Sequence, residues 1–212
     1  MHSRLLHRLM QQGLKGIERD HALRVMQFSS MLFDQLQSLH KMGQTERRWL
    51  TAAALVHDIA KSRFPKQHHK LARDWMLHAK GIPFDRIERQ IIGLVARFHR
   101  GQDPEPHHRY YRDLDTFDKV VVCKLAALLR LADGLDKNRG CRVIDFSCDF
   151  DPRSVQLEID CRRGFDSDKL RRKALLFEQV FDRHLQCLLR FTTKGKVLRL
   201  EHPVTIPYAE AS

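Results

Sequence analysis

The chain has 212 residues, 42% of them hydrophobic, which suits a globular protein with a sizeable core. Its 38 Lys and Arg outnumber 26 Asp and Glu, and the formal net charge of +12 points to an anionic partner: a phosphate-rich substrate, nucleic acid or an acidic membrane face. No apolar run reaches the roughly 18 residues of a membrane span, and MHSRLLHRLM has neither a signal core nor a small-residue cleavage site, so a cytoplasmic chain is expected.

Apolar spacing predicts a first helix from about Ile17 to Leu39, with Ile17, Val25, Phe28, Leu32, Leu36 and Leu39 on one face. A second runs from about Glu46 to Ala60 and is followed by the loop SRFPKQ. A third, near His69 to Ala79, stops at Lys80-Gly81 with Pro83 beyond. The fourth spans about Asp85 to His99, with Ile87, Ile91, Leu94, Val95 and Phe98 inward. After the polar loop GQDPEPHHRYYRDLD, a long helix runs from about Phe117 to Lys137 and closes at Asn138-Arg139-Gly140. Beyond Gly140 the period changes. CRVIDFSCDF and SVQLEIDC alternate like strands around Asp151-Pro152, Asp166 to Phe191 reads as a helix capped by Asp166 or Ser167, and VLRLEHPV reads as a strand. The expected fold is therefore mainly α: a helical bundle over residues 1–140, then a small C-terminal α+β module of hairpin, helix and strand over 141–212. The five cysteines (Cys123, Cys141, Cys148, Cys161, Cys187) form no C-x-x-C pair and read as reduced thiols acting as small hydrophobes.

ERRWLTAAALVHDIAKS, Glu46 to Ser62, places His57 and Asp58 at the end of an apolar stretch. A buried carboxylate is costly unless it is paired, hydrogen-bonded or holding a metal. Ile17, His21, Val25, Phe28 and Leu32 step along one helix face, so His21 points inward. Val122, Leu125, Leu129 and Asp133 do the same on the long helix, His99 lies on the core edge of its helix, and His69 opens the helix after the His-Asp pair. Taken singly, each has a plainer explanation: a satisfied core histidine, a capping or ion-paired aspartate, or, for His68, His69, His107 and His108, a solvated loop. Together they place ligand-type side chains from separate helices toward one interior, which is how helical bundles build metal sites.

His21, His57-Asp58 and Asp133 resemble the H…HD…D pattern of the HD superfamily of metal-dependent phosphohydrolases. HHKLARDWML, LVARFHR, KLAALLRLADGLDKNR and FEQVFDRHL are similar to the C-terminal HD domain of the exopolyphosphatase/guanosine pentaphosphatase (Ppx/GppA) family, from roughly Arg19 to Arg199. The resemblance implies that His21, His57, Asp58 and Asp133 hold a divalent metal, with His69 and His99 completing a second site and Asp58 bridging. One or two ions of Mn, Fe, Zn or Mg suit that set of imidazoles and carboxylates. Three features depart from the related proteins. Nothing in the sequence resembles the phosphate-binding glycine loops of the actin-like catalytic domain of the long members, so exopolyphosphatase activity does not carry over with the likeness. Ala60 precedes Lys61 where many HD enzymes have Gly, and Ile59-Ala60-Lys61-Ser62 stands where the ppGpp hydrolases carry a Glu-Asp pair.

The expected reaction is hydrolysis of a phosphate ester or anhydride, in a nucleotide or polyphosphate, by a metal-activated water. Asp58, Lys61 and Arg100 are the expected catalytic residues. Lys61, Lys70, Arg97, Arg100 and Arg130 are the cations placed to hold phosphate oxygens, Arg in a bidentate fork. The alternative is a non-catalytic module that binds polyphosphate or a nucleotide and regulates a partner. Nucleic acid has only charge in its favour, since no recognition motif is present. No membrane partner is expected, and a homodimer stays open.

Overall fold

The computed structural model describes residues 7–8, 16–136, 143–161, 165, 167–193, 196–199 and 204–205. Its helices are α1 (Gly16–Gln35), α2 (Gln37–His40), α3 (Gln44–Val56), α4 (His68–His78), α5 (Arg86–Arg97), α6 (Thr116–Asp136) and α7 (Ser167–Phe181). Its strands are β1 (Val143–Phe150), β2 (Ser154–Cys161), β3 (His184–Thr193), β4 (Lys196–Arg199) and β5 (Val204–Thr205). A mainly helical protein with a small C-terminal α+β module is what the sequence predicted.

Helix α6 is the axis of the bundle. From Leu125 to Leu135 every residue is buried, so it is enclosed on all sides, and Arg130 and Asp133 are the charged residues within that run. Helices α1, α3 and α5 pack around it, and α4 covers α5. In α3, Ala52, Ala53 and Ala54 are fully buried and keep the inter-helix distance short. Helix α5 starts at a capping box: Glu88 N–H donates to Asp85 Oδ1 at 2.9 Å, and Asp85 N–H to Glu88 Oε2 at 3.0 Å, an arrangement that stabilises by about 1 kcal/mol.

The C-terminal sheet has the order β1-β2-β3-β4, with β5 also paired to β3. β1 and β2 form an antiparallel hairpin (Phe146 opposite Ile159), whereas β2 and β3 run parallel (Leu157 opposite Cys187). Parallel neighbours need a crossover, and α7 is that crossover. Val155, Leu157, Ile159, Leu185 and Leu189 are buried on the sheet, as are Leu170, Ala174 and Phe177 on α7. The sheet is anchored to α1 through Gln35, whose amide donates to the Phe146 carbonyl at 3.3 Å and accepts from Cys148 N–H at 2.6 Å.

Several expectations need correction. The helix expected to continue to Phe191 ends at Phe181. Asp182 turns the chain with φ 50°, and His184 to Thr193 is a strand whose Leu185, Cys187 and Leu189 are buried at period two. The first helix breaks at Leu36, and α2 ends at Lys41 with φ 59°. Helix α3 stops at Val56 instead of Ala60. The chain then turns tightly through Ile59 N–H to Val56 O and Lys61 N–H to Asp58 O, with Ala60 at φ 63°. Ile87, expected inward, is half-exposed. VLRLEHPV contributes the separate strands β4 and β5. The boundary expected at Gly140 lies outside the described residues, as does Cys141. No disulfide joins two of the four described cysteines.

Candidate metal centre

The end of α3 delivers His57 and Asp58 to the middle of the bundle, where His57 is fully buried and Asp58 is 2% exposed. Asp58 faces two different groups. Its Oδ2 lies 3.2 Å from His21 Nε2 and 3.5 Å from His57 Nε2, and its Oδ1 lies 3.1 Å from His68 Nε2 and 3.3 Å from His99 Nε2. Asp133, from the buried face of α6, brings Oδ1 to 3.3 Å from His21 Nε2 and 3.6 Å from His57 Nε2. Potential ligand atoms therefore gather into one group of His21, His57, Asp58 and Asp133 and another of Asp58, His68 and His99. Asp58 is common to both.

The opposite ring nitrogens explain the orientation. Nδ1 of His57 lies 2.7 Å from the Ala54 carbonyl, that of His68 2.9 Å from Pro65 O, and that of His99 2.7 Å from Ala96 O. A carbonyl only accepts, so each Nδ1 carries a proton and each ring turns its Nε2 inward. The fourth ring, His21, is held through Nδ1 by Asp136, which Arg24 holds in turn. The Nε2 atoms of His21, His57, His68 and His99 are buried without a hydrogen-bond partner. Ring nitrogens this close to carboxylate oxygens need a proton or a metal cation between them, and imidazole and carboxylate donors converging from separate helices fit a divalent metal. The Nδ1 contacts are the outer hydrogen bonds that metal-bound histidines make.

The two carboxylates of the centre sit among rings that hold Asp58 ionised. Burial disfavours the ionised form of Asp58, yet His57, His21, His68 and His99 hold its carboxyl far below the usual range. Burial alone would lower the pKa of His21, but Asp133, Asp136 and Asp58 together raise it to about 10. Burial pushes His99 well below the ordinary imidazole value, against the pull of Asp58. In the metal-free site His21 therefore keeps its proton between the carboxylates, and a bound cation would take the place of that proton.

The structure replaces one expected residue. His68, not His69, completes the second group: His68 falls in line with buried Ala72 and Met76 at four-residue steps, while His69 is one position out of phase and half-buried. His69 lies beside His68, its Nδ1 unpartnered, and burial together with Arg97 depresses its pKa to about 4.

The expected cations divide. Lys61 donates to Asp58, and Arg100 reaches the Pro65 carbonyl at 3.2 Å, both on the wall of a cavity of about 1050 Å³ over the centre. Arg130 also borders that cavity, but its guanidinium is committed to Phe98 O (2.6 Å), Asp103 Oδ1 (2.6 Å) and Gln102 O (3.1 Å), so it fixes the loop after His99. Lys70 is exposed and Arg97 is buried against Phe98, and neither lines the cavity. Sequence reasoning missed Arg24, Asp136, Lys169, Arg172 and Lys173, which do line it. Lys173 donates to Asp133 Oδ2 at 2.8 Å and to the His99 carbonyl at 3.0 Å. Its signal was present: Lys173 sits between Leu170 and Phe177 on the buried side of α7.

The sequence model described as Ppx/GppA phosphatase, domain III, matches residues 7–179, most of the chain. The chain belongs to the Ppx/GppA phosphatase domain III family. The match reaches from the N-terminal helical residues into α7, so the wall carrying Lys169, Arg172 and Lys173 is within the domain III region. No curated protein matches the chain. No helix among the described residues of this Ppx/GppA relative is long and apolar enough to cross a membrane.

Proposed function

We propose that this chain is an HD-type metal-dependent phosphohydrolase acting on a phosphate ester or anhydride, with nucleotides and polyphosphate as the first substrates to try. One observation carries the reading: four buried imidazole Nε2 atoms converge on Asp58 and Asp133 with no hydrogen-bond partner of their own. His21, His57, Asp58 and Asp133 would hold one cation, and Asp58, His68 and His99 a second. A divalent ion of the Mn, Fe, Zn or Mg kind supplies Lewis acidity toward phosphoryl oxygens and water when bound.

The remaining work falls to the chain itself. The carbonyls of Ala54, Pro65 and Ala96 lock the three rings, so little reorganisation accompanies charge development. Asp58 orients both groups at once. Lys61 and Arg100, on the cavity wall, are placed to hold phosphate oxygens. Arg130 pins the loop after His99 through Phe98 O, Asp103 and Gln102 O at the cavity wall. The fully buried His57 and His99 keep bulk water from the floor of the site.

The test is elemental analysis of wild type and Asp58→Asn after exchange into metal-free buffer and reconstitution, followed by phosphate release from a substrate panel. One or two equivalents of metal and turnover, both lost in Asp58→Asn, are expected; turnover unchanged in the variant would sink the proposal. Membership of a family described as one domain of a phosphatase favours a second reading, a polyphosphate- or nucleotide-binding regulatory module. Metal and ligand binding with no turnover across the panel would select it.

A further inference from the structure

His69 and Arg97 do not line the cavity over the His/Asp centre, and the packing of α4 on α5 sets them opposite each other. Residues 79–85 join the two helices, which lie side by side as an antiparallel pair. Their closest approach is at Gly93 of α5, where an added Cβ would stand 3.2 Å from the Arg73 carbonyl oxygen of α4. About one turn away from that point, Arg97 follows Gly93 and His69 precedes Arg73, each by four residues. Arg97 is accordingly the strongest charge acting on His69.

Both side chains leave a buried polar atom unmatched. Arg97 is 8% exposed, and among the described residues neither its Nη1 nor His69 Nδ1 has a hydrogen-bond partner. The neighbouring guanidinium groups are paired, Arg73 with Asp74 at 2.7 Å and Arg130 with Asp103 at 2.6 Å. Arg97 instead stands over the Phe98 ring, 5.6 Å from its centroid, which offsets only part of the cost of a buried charge. The charges that weigh most on Arg97 are those of Arg73 and Arg130, and on His69 those of Arg97, His68, Arg100 and Lys70. All belong to basic side chains.

A water molecule between the two groups would satisfy their hydrogen bonds and leave the charge uncompensated, whereas an anion does both. We propose that Arg97 and His69 form an anion site between α4 and α5, separate from the His/Asp centre, which takes a chloride-sized ion. Arg97 donates through Nη1, and His69 through Nδ1 in the tautomer that carries its proton there. Two enclosed donors suffice for a spherical ion and are too few for the several oxygens of a phosphate. The half-buried ring of His69 is the side from which the ion enters, by a turn of that side chain. The bound ion is the counter-charge of the basic cluster behind His68, and it is needed whether or not the centre hydrolyses phosphate.

The experiment is thermal melting of the full-length protein near neutral pH, at one fixed ionic strength, in sodium chloride and in sodium methanesulfonate, whose anion is too large for the site. Chloride should raise the wild-type melting temperature by about 3–5 °C over methanesulfonate, the shift for an ion present at about tenfold its Kd. Arg97→Met should abolish that difference. Asp58→Asn, which alters the His/Asp centre, should keep it. Crystals soaked in bromide should show, by anomalous scattering, a bromide between Arg97 and His69. Equal wild-type melting in the two salts, a difference that persists in Arg97→Met or is lost in Asp58→Asn, or an ordered water only at that position would each overturn the site. If Arg97→Met does not fold, the bromide map of the wild type decides.

Discussion

Replacing His68 and His69 one at a time separates two adjacent histidines that the sequence alone does not rank. His68→Gln removes one of the three residues of the second group and leaves His21, His57, Asp58 and Asp133 untouched. A zinc site with four protein ligands binds with about 10–16 kcal/mol, so one ligand accounts for about 3 kcal/mol, or roughly a hundredfold in affinity. The assay is a zinc titration of metal-free protein against a chromophoric chelator. Wild type should take two equivalents, His68→Gln one tight equivalent and a second weakened about a hundredfold, and His69→Gln two. The His68 change also removes one of the two donors to the Pro65 carbonyl, which keeps Arg100, at a cost of no more than about 1 kcal/mol, so both variants should fold and melt within a few degrees of wild type. If His69→Gln loses the second equivalent and His68→Gln keeps it, the helix-phase argument and the converging-donor argument fall together.

Ala60→Gly should raise stability by about 0.5–1 kcal/mol: a left-handed alanine costs about 1–2 kcal/mol, and the greater freedom of unfolded glycine returns about 0.4–1. Thermal melting should show a rise of about 2 °C, and no rise would mean that φ 63° at Ala60 carries no strain. Gly134→Ala should lower stability by about 1 kcal/mol in urea, because overpacking against Leu170 and Lys173 (about 1–3 kcal/mol) outweighs the helix preference for Ala (about 1 kcal/mol); a gain would refute the close approach of α6 and α7. His69 has a folded pKa of about 4 against an ordinary 6.5, so the unfolded chain binds the extra proton and metal-free protein loses stability as pH falls from about 6.5 to 4. His69→Gln should flatten that part of the stability-pH curve, and an unchanged slope would show that His69 titrates normally.

Where one physical signal dominates, the sequence was readable. The inward phase of His21 and Asp133 followed from apolar neighbours three and four residues away, and both are buried or nearly so in the centre. The family resemblance and a place at the expected helix start favoured His69 over His68; the register of Ala72 and Met76 would have chosen His68. The helix expected to run on to Phe191 failed for a different reason. FDRHLQCLLRF supports both periods in part, and the strand wins because the exposed edge of β2 offers a parallel partner and Asp182 accepts a positive φ. Cations were the least legible. Which of Lys70, Arg97, Arg130, Lys169 and Arg172 face one cavity depends on how α6 and α7 pack, and no local pattern encodes that.

His21 and its partner Asp136 are 115 residues apart in the chain, and Lys173 comes later still. During synthesis the first imidazole has left the ribosome long before the lysine that steadies Asp133 exists. The ligand set itself is complete once Asp133 has emerged, but the wall that Lys173 steadies is forty residues further on. An ion held by the finished pocket would be selected by packed geometry as well as by the raw affinity of its ligands.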